Sequence, residues 1–161
     1  MIEKVIAMSC IQALEYVYFN RSGVDNFAII SIQETSNGGN GFEFTISGCC
    51  KDVLTVNFDD VNPNYLKEQG YENWYKEEKE KGKIVPFDKP LGNYIKAFVD
   101  KINKNEDIKV LIIHCAAGVS RSPAVAAAIS KYLFGNDGDF FETQLPNKYV
   151  YDIMSKCFDN C

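Results

Sequence analysis

A cysteine and an arginine, separated by five residues, stand where an apolar segment gives way to a helical one. Cys115 follows the apolar run 110–113, a helix-like run extends from residue 122 to residue 133, and Arg121 is expected in the first turn of that helix. The first backbone N–H groups of a helix have no partner within the helix, so this loop can bind an anion. The same position favours the thiolate form of a cysteine, which is the nucleophilic form. The loop therefore offers a nucleophile, a ring of N–H donors and a guanidinium group that can grip two oxygen atoms.

The residues from His114 to Ser122 follow the order His-Cys-x-x-Gly-x-x-Arg-Ser. This order resembles the phosphate-binding loop of the cysteine-based protein tyrosine phosphatases, particularly the small dual-specificity group. The resemblance runs from about residue 53 onward, and residues 1–50 match only in architecture. The structural alternative is a buried free cysteine at a strand end with a surface arginine nearby, and it leaves Gly118 and the adjacent serines unexplained.

The resemblance implies a role for each residue of this loop. Cys115 would attack phosphorus and form a phosphocysteine, and Arg121 would bind the phosphoryl oxygens and the charge of the transition state. Ser122 matches a hydroxyl that hydrogen-bonds the thiolate and helps it to leave, with a helix cap as its alternative role. His114 matches a histidine that orders the loop and does not act as a base, while Gly118 permits a positive φ or a close backbone approach. The backbone cradle for the phosphate would consist of Ala116, Ala117, Gly118, Val119, Ser120 and Arg121.

The leaving group needs a proton, which this family takes from an aspartate on a loop that follows a strand. Asp59 and Asp60 follow a predicted strand, and matching this strand to the family's segment favours Asp60, with Asp59 as the alternative acid. A turn or a cap is the non-catalytic interpretation of the pair. Asp88 and Asp100 are weaker candidates, because Asp88 is expected to cap a helix and Asp100 to lie within one.

Asp60 lies 55 residues before Cys115, which is farther than is usual in small dual-specificity phosphatases. The polar segment 63–83 can account for the extra length. We expect it to be a surface helical excursion whose aromatic residues form an inner edge, and these residues could also wall the substrate pocket. They are Tyr65, Tyr71, Trp74 and Tyr75.

Strands alternate with helical segments along the chain, which favours an α/β fold with a central, mainly parallel sheet flanked by helices. The resemblance implies the same fold, and we expect residues 1–161 to form a single catalytic domain. Helices are predicted to be capped by Ser9, Asp88 and Asn147, and one should end at Gly135. Residues 36–41 predict a turn. The predicted strands are 3–8, 27–32, 53–58 and 110–113, and the predicted buried face of the helix after Asp88 is Leu91, Tyr94, Ile95, Phe98, Val99 and Ile102.

Composition excludes several other classes of protein. The net charge of −5 disfavours nucleic acid and acidic membranes as partners, and no apolar run reaches the length of a membrane span. Six cysteines without a secretory signal indicate reduced thiols and a cytoplasmic location. The pairs Cys49-Cys50 and Cys157-x-x-x-Cys161 lack metal-site spacing, and His114 is the one histidine, so we expect no metal and no cofactor. The protein is expected to be a monomer.

The variable positions of the loop bear on the substrate. Ala116, Ala117, Val119 and Ser120 carry no positive charge, whereas phosphatases of inositol lipids often have lysines there to meet extra phosphates. A phosphoprotein, above all one with phosphotyrosine, is therefore favoured over a phosphoinositide or an RNA 5′-phosphate, and vanadate should inhibit. Two other hypotheses stay open. A rhodanese-type sulfurtransferase usually has a loop one residue shorter, and a phosphate-binding pseudophosphatase would be expected to lack the cysteine, the arginine or the acid.

Overall fold

The computed structural model describes residues 1–19, 25–35 and 42–159. Within these ranges the strands are β1 (Lys4–Ser9), β2 (Phe27–Gln33), β3 (Cys50–Asn57) and β4 (Val110–Cys115). The helices are α1 (Cys10–Phe19), α2 (Pro63–Glu68), α3 (Glu72–Glu80), α4 (Lys89–Asn103), α5 (Arg121–Phe134), α6 (Phe140–Thr143) and α7 (Lys148–Asp159). The turn predicted at 36–41 lies outside the described residues.

The strands form one sheet in the order β1-β4-β2-β3, and each neighbouring pair is parallel. The prediction of an α/β fold with a parallel sheet flanked by helices is confirmed. All six residues of β4 are buried, as is every residue of β2 except the last. Continuous apolar strands of this kind are typical of a parallel sheet that is covered on both faces. Since β4 lies between β1 and β2, its carboxyl end opens at the centre of the sheet.

The two faces of the sheet carry separate clusters of buried side chains. Ile30 and Ile113 belong to the cluster beneath α4, α5 and α7, whereas Ile29 and Ile112 belong to the cluster that includes Ala13 of α1. This division follows from the alternation of side chains along a strand. Helix α5 is buried from Arg121 to Ser130, and its run of alanines lets its backbone pack closely against the sheet.

The predicted helix boundaries are confirmed. Ser9 and Gln12 exchange the two hydrogen bonds of a capping box, with N···O distances of 2.9 and 3.1 Å. The side chains of Asp88 and Asn147 accept hydrogen bonds from the first turns of α4 and α7. Helix α5 ends at Gly135, whose φ of 81° is left-handed.

The prediction of an aromatic inner edge in the segment 63–83 is wrong for three of its four aromatic residues. Tyr75 alone is buried, whereas Tyr65, Tyr71 and Trp74 are 58, 57 and 51% exposed. The segment folds into two short helices, α2 and α3, of which α2 has no buried residue. Tyr94 is also exposed, because it lies at the edge of the apolar stripe of α4. Among the described residues, no helix is long and apolar enough to cross a membrane.

Candidate active site

Cys115 is the last residue of β4, and Arg121 is the first residue of α5, so the loop between them lies at the carboxyl end of an interior parallel strand. Ligands bind at this edge of open α/β sheets. The Cys115 residue is 2% exposed, and its Sγ accepts a hydrogen bond from the backbone N–H of Gly118 at 3.2 Å. The Ser122 hydroxyl lies 3.2 Å from the same sulfur and 3.3 Å from the carbonyl oxygen of Met8. The Gly118 N–H and the Ser122 hydroxyl thus both lie within hydrogen-bonding distance of the sulfur.

Gly118 holds the loop against the first strand. Its φ is 72°, and a Cβ atom at this position would lie 2.5 Å from the carbonyl carbon of Met8 and also strike the backbone nitrogen of Ser9. Glycine is therefore required here both by the backbone conformation and by the close approach of a second backbone. The N–H of Cys10 also donates to the carbonyl oxygen of Ala116 at 3.2 Å. The loop is thus fixed to the β1–α1 junction.

The Arg121 side chain is held by two groups that the sequence did not indicate. Its Nη1 donates to the carbonyl oxygen of Phe58 at 3.0 Å, and its Nη2 donates to Oε1 of Glu34 at 2.9 Å. The residue is 4% exposed, and its Nε has no partner among the described residues. A buried donor without a partner carries a free-energy cost that a bound oxygen atom would remove. The guanidinium group is therefore held through both terminal nitrogens, and Nε is the nitrogen left for a further acceptor among the described residues.

His114 is buried and lies within the sheet. Its Nε2 is 2.7 Å from Oγ of Ser31 on β2, and its ring centroid is 4.9 Å from that of Phe44. Burial lowers the pKa of His114, and a hydrogen bond with the carbonyl oxygen of Cys115 opposes this shift. These contacts suit a neutral imidazole that fixes the end of β4.

Asp59 is engaged on both carboxylate oxygens. Its Oδ1 accepts from the N–H of Thr35 at 3.1 Å, and its Oδ2 accepts from the Thr35 hydroxyl at 2.6 Å and from the N–H of Val85 at 2.8 Å. Burial raises the pKa of Asp59, but these hydrogen bonds and the charge of Arg121 outweigh it and hold the pKa below its usual value. Asp59 therefore behaves as an ionised structural carboxylate.

Asp60 lies at the phosphate-binding loop. Its Oδ1 accepts from the Ser120 hydroxyl and from Nδ2 of Asn147, both at 2.9 Å. No hydrogen bond occupies its Oδ2 within the described residues. The other two candidates lie on α4, where Asp88 caps the helix and Asp100 pairs with Lys96.

Asn147 connects the Asp60 region, the loop and the last helix, a role that sequence reasoning missed. Its Oδ1 caps α7, while its Nδ2 donates to Asp60 and, at 3.1 Å, to the carbonyl oxygen of Val61. Its backbone N–H donates to the carbonyl oxygen of Ser120 at 3.0 Å. Gln144 adds a further bond, from Nε2 to the carbonyl oxygen of Gly118 at 3.0 Å. The sequence indicated only the cap.

The described cysteines differ in their surroundings. Burial raises the pKa of Cys50 to about 11 and raises that of Cys157, and it does the same for Cys10, where the nearby Cys115 adds to the shift. Backbone hydrogen bonds with Ser47 and Asp52 oppose the shift in the pKa of Cys50, but burial outweighs them. The described residues contain no group of three or more His, Cys, Asp or Glu side chains placed to hold a metal ion.

A cavity of about 540 Å³ adjoins the site. Asp60 and Ser120 form its edge toward the loop, and Tyr65, Leu66 and Trp74 of the α2–α3 segment form its far wall. The exposed aromatic rings of this segment thus lie beside the candidate acid.

Comparisons with known proteins give weak likenesses of overall structure. No protein-family model matches the chain, and no curated protein matches it. The crystal structure of PTPMT1 in complex with PI(5)P is similar with a TM-score of 0.49 and 10% identity, over 98% of this chain and 91% of that one. A second crystal structure of PTPMT1 is similar with a TM-score of 0.43 and 11% identity, over 98% of this chain and 90% of that one. The functional assignment therefore depends on the geometry of the site itself.

Proposed function

We propose that this protein is a phosphomonoester hydrolase that acts through a phosphocysteine intermediate, with phosphoproteins, above all phosphotyrosine, as substrates. The observation that carries the proposal is the meeting of three groups from separate parts of the chain. Cys115 offers a sulfur that accepts an N–H bond, Arg121 offers a buried Nε that has no partner among the described residues, and Asp60 is hydrogen-bonded to the loop between them. A nucleophile, an anion-binding group and a proton donor are the parts that such a reaction needs.

In the first step, the phosphoryl oxygens bind Arg121 and the N–H groups at the start of α5, where the helix dipole favours an anion. The sulfur of Cys115 attacks phosphorus in line with the leaving oxygen. The S–P bond forms as the P–O bond breaks, and Asp60 transfers its proton to the departing oxygen. The fixed donors require little reorganisation, which is what makes them effective in the transition state.

In the second step, a water molecule attacks phosphorus and gives a proton to the Asp60 carboxylate. The P–S bond breaks, inorganic phosphate is released, and the sulfur leaves as a thiolate. The hydroxyl of Ser122, 3.2 Å from Sγ, can donate to the developing negative charge. Asp60 is then protonated and Cys115 ionised, as at the start of the cycle.

Glu34 and Phe58 act on the arginine and not on the substrate. Their acceptors fix two of the guanidinium nitrogens, so the remaining N–H groups of Arg121 point in a defined direction. Glu34 is thus a positioning residue. The acid at the loop also favours phosphoryl transfer over a sulfurtransferase, since transfer of sulfur to cyanide has no alkoxide leaving group to protonate.

The choice of a phosphoprotein rests on the loop positions that would face the substrate. Ala116, Ala117, Val119 and Ser120 are uncharged, so extra phosphates of an inositol lipid find no cation there. The phosphoinositide and RNA 5′-phosphate alternatives remain to be separated by assay.

Turnover of p-nitrophenyl phosphate by the wild type and by Cys115→Ser tests the mechanism. We expect the wild type to be active and inhibited by vanadate, and the variant to be inactive while it still binds phosphate, because a serine hydroxyl stays protonated at this position. Cys49→Ser is the matched control, because Cys49 is half-buried and immediately precedes β3, away from the loop. Substantial activity in Cys115→Ser, or transfer of sulfur from thiosulfate to cyanide by the wild type, would refute the proposal.

A further inference from the structure

The cavity beside Asp60 is lined in part by aromatic side chains, which the phosphate-binding loop lacks. We call it the acid-loop cavity and define it by Asp60, Tyr65, Leu66, Trp74, Pro146 and Lys148. Its volume of about 540 Å³ lies within the range of roughly 300–1,000 Å³ that is typical of ligand sites. One wall is aromatic and aliphatic, and the other wall is the segment that holds the candidate acid.

The position of the cavity relates it to the substrate of the proposed reaction, and the inference rests on that proposed function. The oxygen that leaves phosphorus must lie in line with Cys115 and within reach of Asp60. The organic part of the substrate therefore emerges from the loop next to Asp60, at the edge of the acid-loop cavity. The substrate groups next to the phosphorylated group are therefore the nearest ones that can enter the acid-loop cavity.

The aromatic residues of the cavity wall are not buried in the hydrophobic core. Trp74 and Tyr65 are 51 and 58% exposed, whereas Tyr75 of the same segment is buried. Their apolar surface faces solvent in the free protein, and a bound apolar group would cover it with a gain of roughly 25 cal/mol per Å². The wall is supplied by the α2–α3 segment, which accounts for the extra length between Asp60 and Cys115.

The charges at the cavity disfavour a polyphosphorylated ligand. Lys148 is the one cation among its described lining residues, and its ammonium group is 2.6 Å from Oδ1 of Asp152. Asp60 contributes a carboxyl group, and the whole chain has a net charge of −5. A lipid headgroup with extra phosphates would need several unpaired cations, whereas an uncharged side chain meets no electrostatic penalty.

We propose that the acid-loop cavity is a specificity subsite that binds an apolar or aromatic side chain next to the phosphorylated residue of a peptide substrate. Phosphopeptides with such a neighbour should be preferred over peptides with a charged neighbour. The expected preference in kcat/KM is at least about tenfold, the lower end of what one group in an apolar pocket provides.

Kinetic comparison of two phosphotyrosyl peptides tests this subsite. One peptide carries Phe or Leu on both sides of the phosphotyrosine, and the other carries Asp at the same places. The ratio of their kcat/KM values should be about ten in the wild type and fall toward one in Trp74→Ala. Tyr94→Ala is the matched control, because Tyr94 is as exposed as Trp74 but lies on α4, and it should keep the wild-type ratio. A ratio unchanged in Trp74→Ala would overturn the proposal.

Trp74 is the one tryptophan of the chain, so its fluorescence reports binding directly. In the Cys115→Ser variant, the Phe- or Leu-flanked phosphopeptide should shift the emission of Trp74, and inorganic phosphate should not. An equal shift with inorganic phosphate would overturn the subsite. So would a shift caused only by vesicles that contain a phosphoinositide, which would indicate a lipid ligand.

The two measurements also separate this proposal from the proposed function. If the wild type hydrolyses phosphopeptides without regard to their neighbours, the function stands and the subsite is refuted. If the wild type hydrolyses no phosphomonoester, the proposed function is refuted, and the fluorescence titration alone then decides whether the cavity binds an apolar side chain.

Discussion

The assignment of Asp60 as the acid predicts that Asp60→Asn and Asp59→Asn have different consequences. Asp60→Asn should lower turnover of a phosphotyrosyl peptide by about 10²–10⁴, the usual contribution of a positioned acid. Its effect on an activated aryl phosphate should be much smaller, since that leaving group departs as an anion. The variant should also flatten the basic limb of the pH–rate profile, where the wild type loses the proton it must donate.

The hydrogen bonds around the two side chains explain why their variants differ in stability as well. An asparagine at position 60 can still accept hydrogen bonds from Ser120 and Asn147 through Oδ1, so the free energy of unfolding of Asp60→Asn should change little. An asparagine at position 59 has only one acceptor oxygen for three donors of Thr35 and Val85. At least one of those donors would face an NH₂ group, which should cost about 1–3 kcal/mol in the free energy of unfolding.

The assay compares kcat/KM for a phosphotyrosyl peptide and for an aryl phosphate with a low-pKa leaving group, alongside urea unfolding of each variant. The expected pattern is dependence on the leaving group in Asp60→Asn and a loss of stability in Asp59→Asn. If Asp59→Asn alone shows the leaving-group dependence, the assignment is wrong by one residue. If neither variant shows it, the acid lies elsewhere, and residues 63–100 are the next to test.

Further predictions concern the arginine, the thiolate and pH. Arg121→Lys keeps the charge but removes the planar fork, so kcat for p-nitrophenyl phosphate should fall by the equivalent of about 2–4 kcal/mol, and unchanged turnover would contradict its role. Glu34→Ala should lower kcat by the equivalent of about 1.5–3 kcal/mol, the range for a hydrogen bond to a charged group. Glu34→Gln keeps an acceptor and should lower kcat by less. Hydrogen peroxide should inactivate the enzyme through Cys115, thiol should restore activity, and bound phosphate should protect; an inactivation rate indifferent to phosphate would argue against this site. The pKa of Asp59 is lowered in the folded protein, so its carboxylate stabilises the fold above its unfolded pKa of about 3.9. This contribution is lost as the pH falls through the folded pKa. The free energies of unfolding of the wild type and of Asp59→Asn should therefore converge in acid.

Features set by neighbouring residues could be predicted from the sequence, and features set by distant contacts could not. The loop, its flanking strand and helix, and the caps at Ser9, Asp88 and Asn147 depend on local order and were placed correctly. The ion-pair partner of Arg121 was missed, because Glu34 lies 87 residues away along the chain and no local pattern marks it.

The aromatic residues of α2 and α3 illustrate a different failure. Apolar character alone predicted that Tyr65 and Trp74 would face inward, but α2 buries no residue and α3 buries Tyr75 alone. The choice between Asp59 and Asp60 could be narrowed but not made from the residues alone. Adjacent side chains point in different directions, and only their partners, Thr35 and Ser120, show which of the two faces the loop.

The double role of Asn147 links the candidate acid, Asp60, to the local opening of a helix. One carboxamide both begins α7 and holds the carboxyl group of Asp60. A fluctuation that frays the first turn of α7 would free this carboxamide and leave Oδ1 of Asp60 with the Ser120 hydroxyl, so opening of the turn should loosen the candidate acid. Amide hydrogen exchange at Tyr149 and Val150, whose N–H groups donate to the Asn147 cap, would then report how often the support of Asp60 is lost.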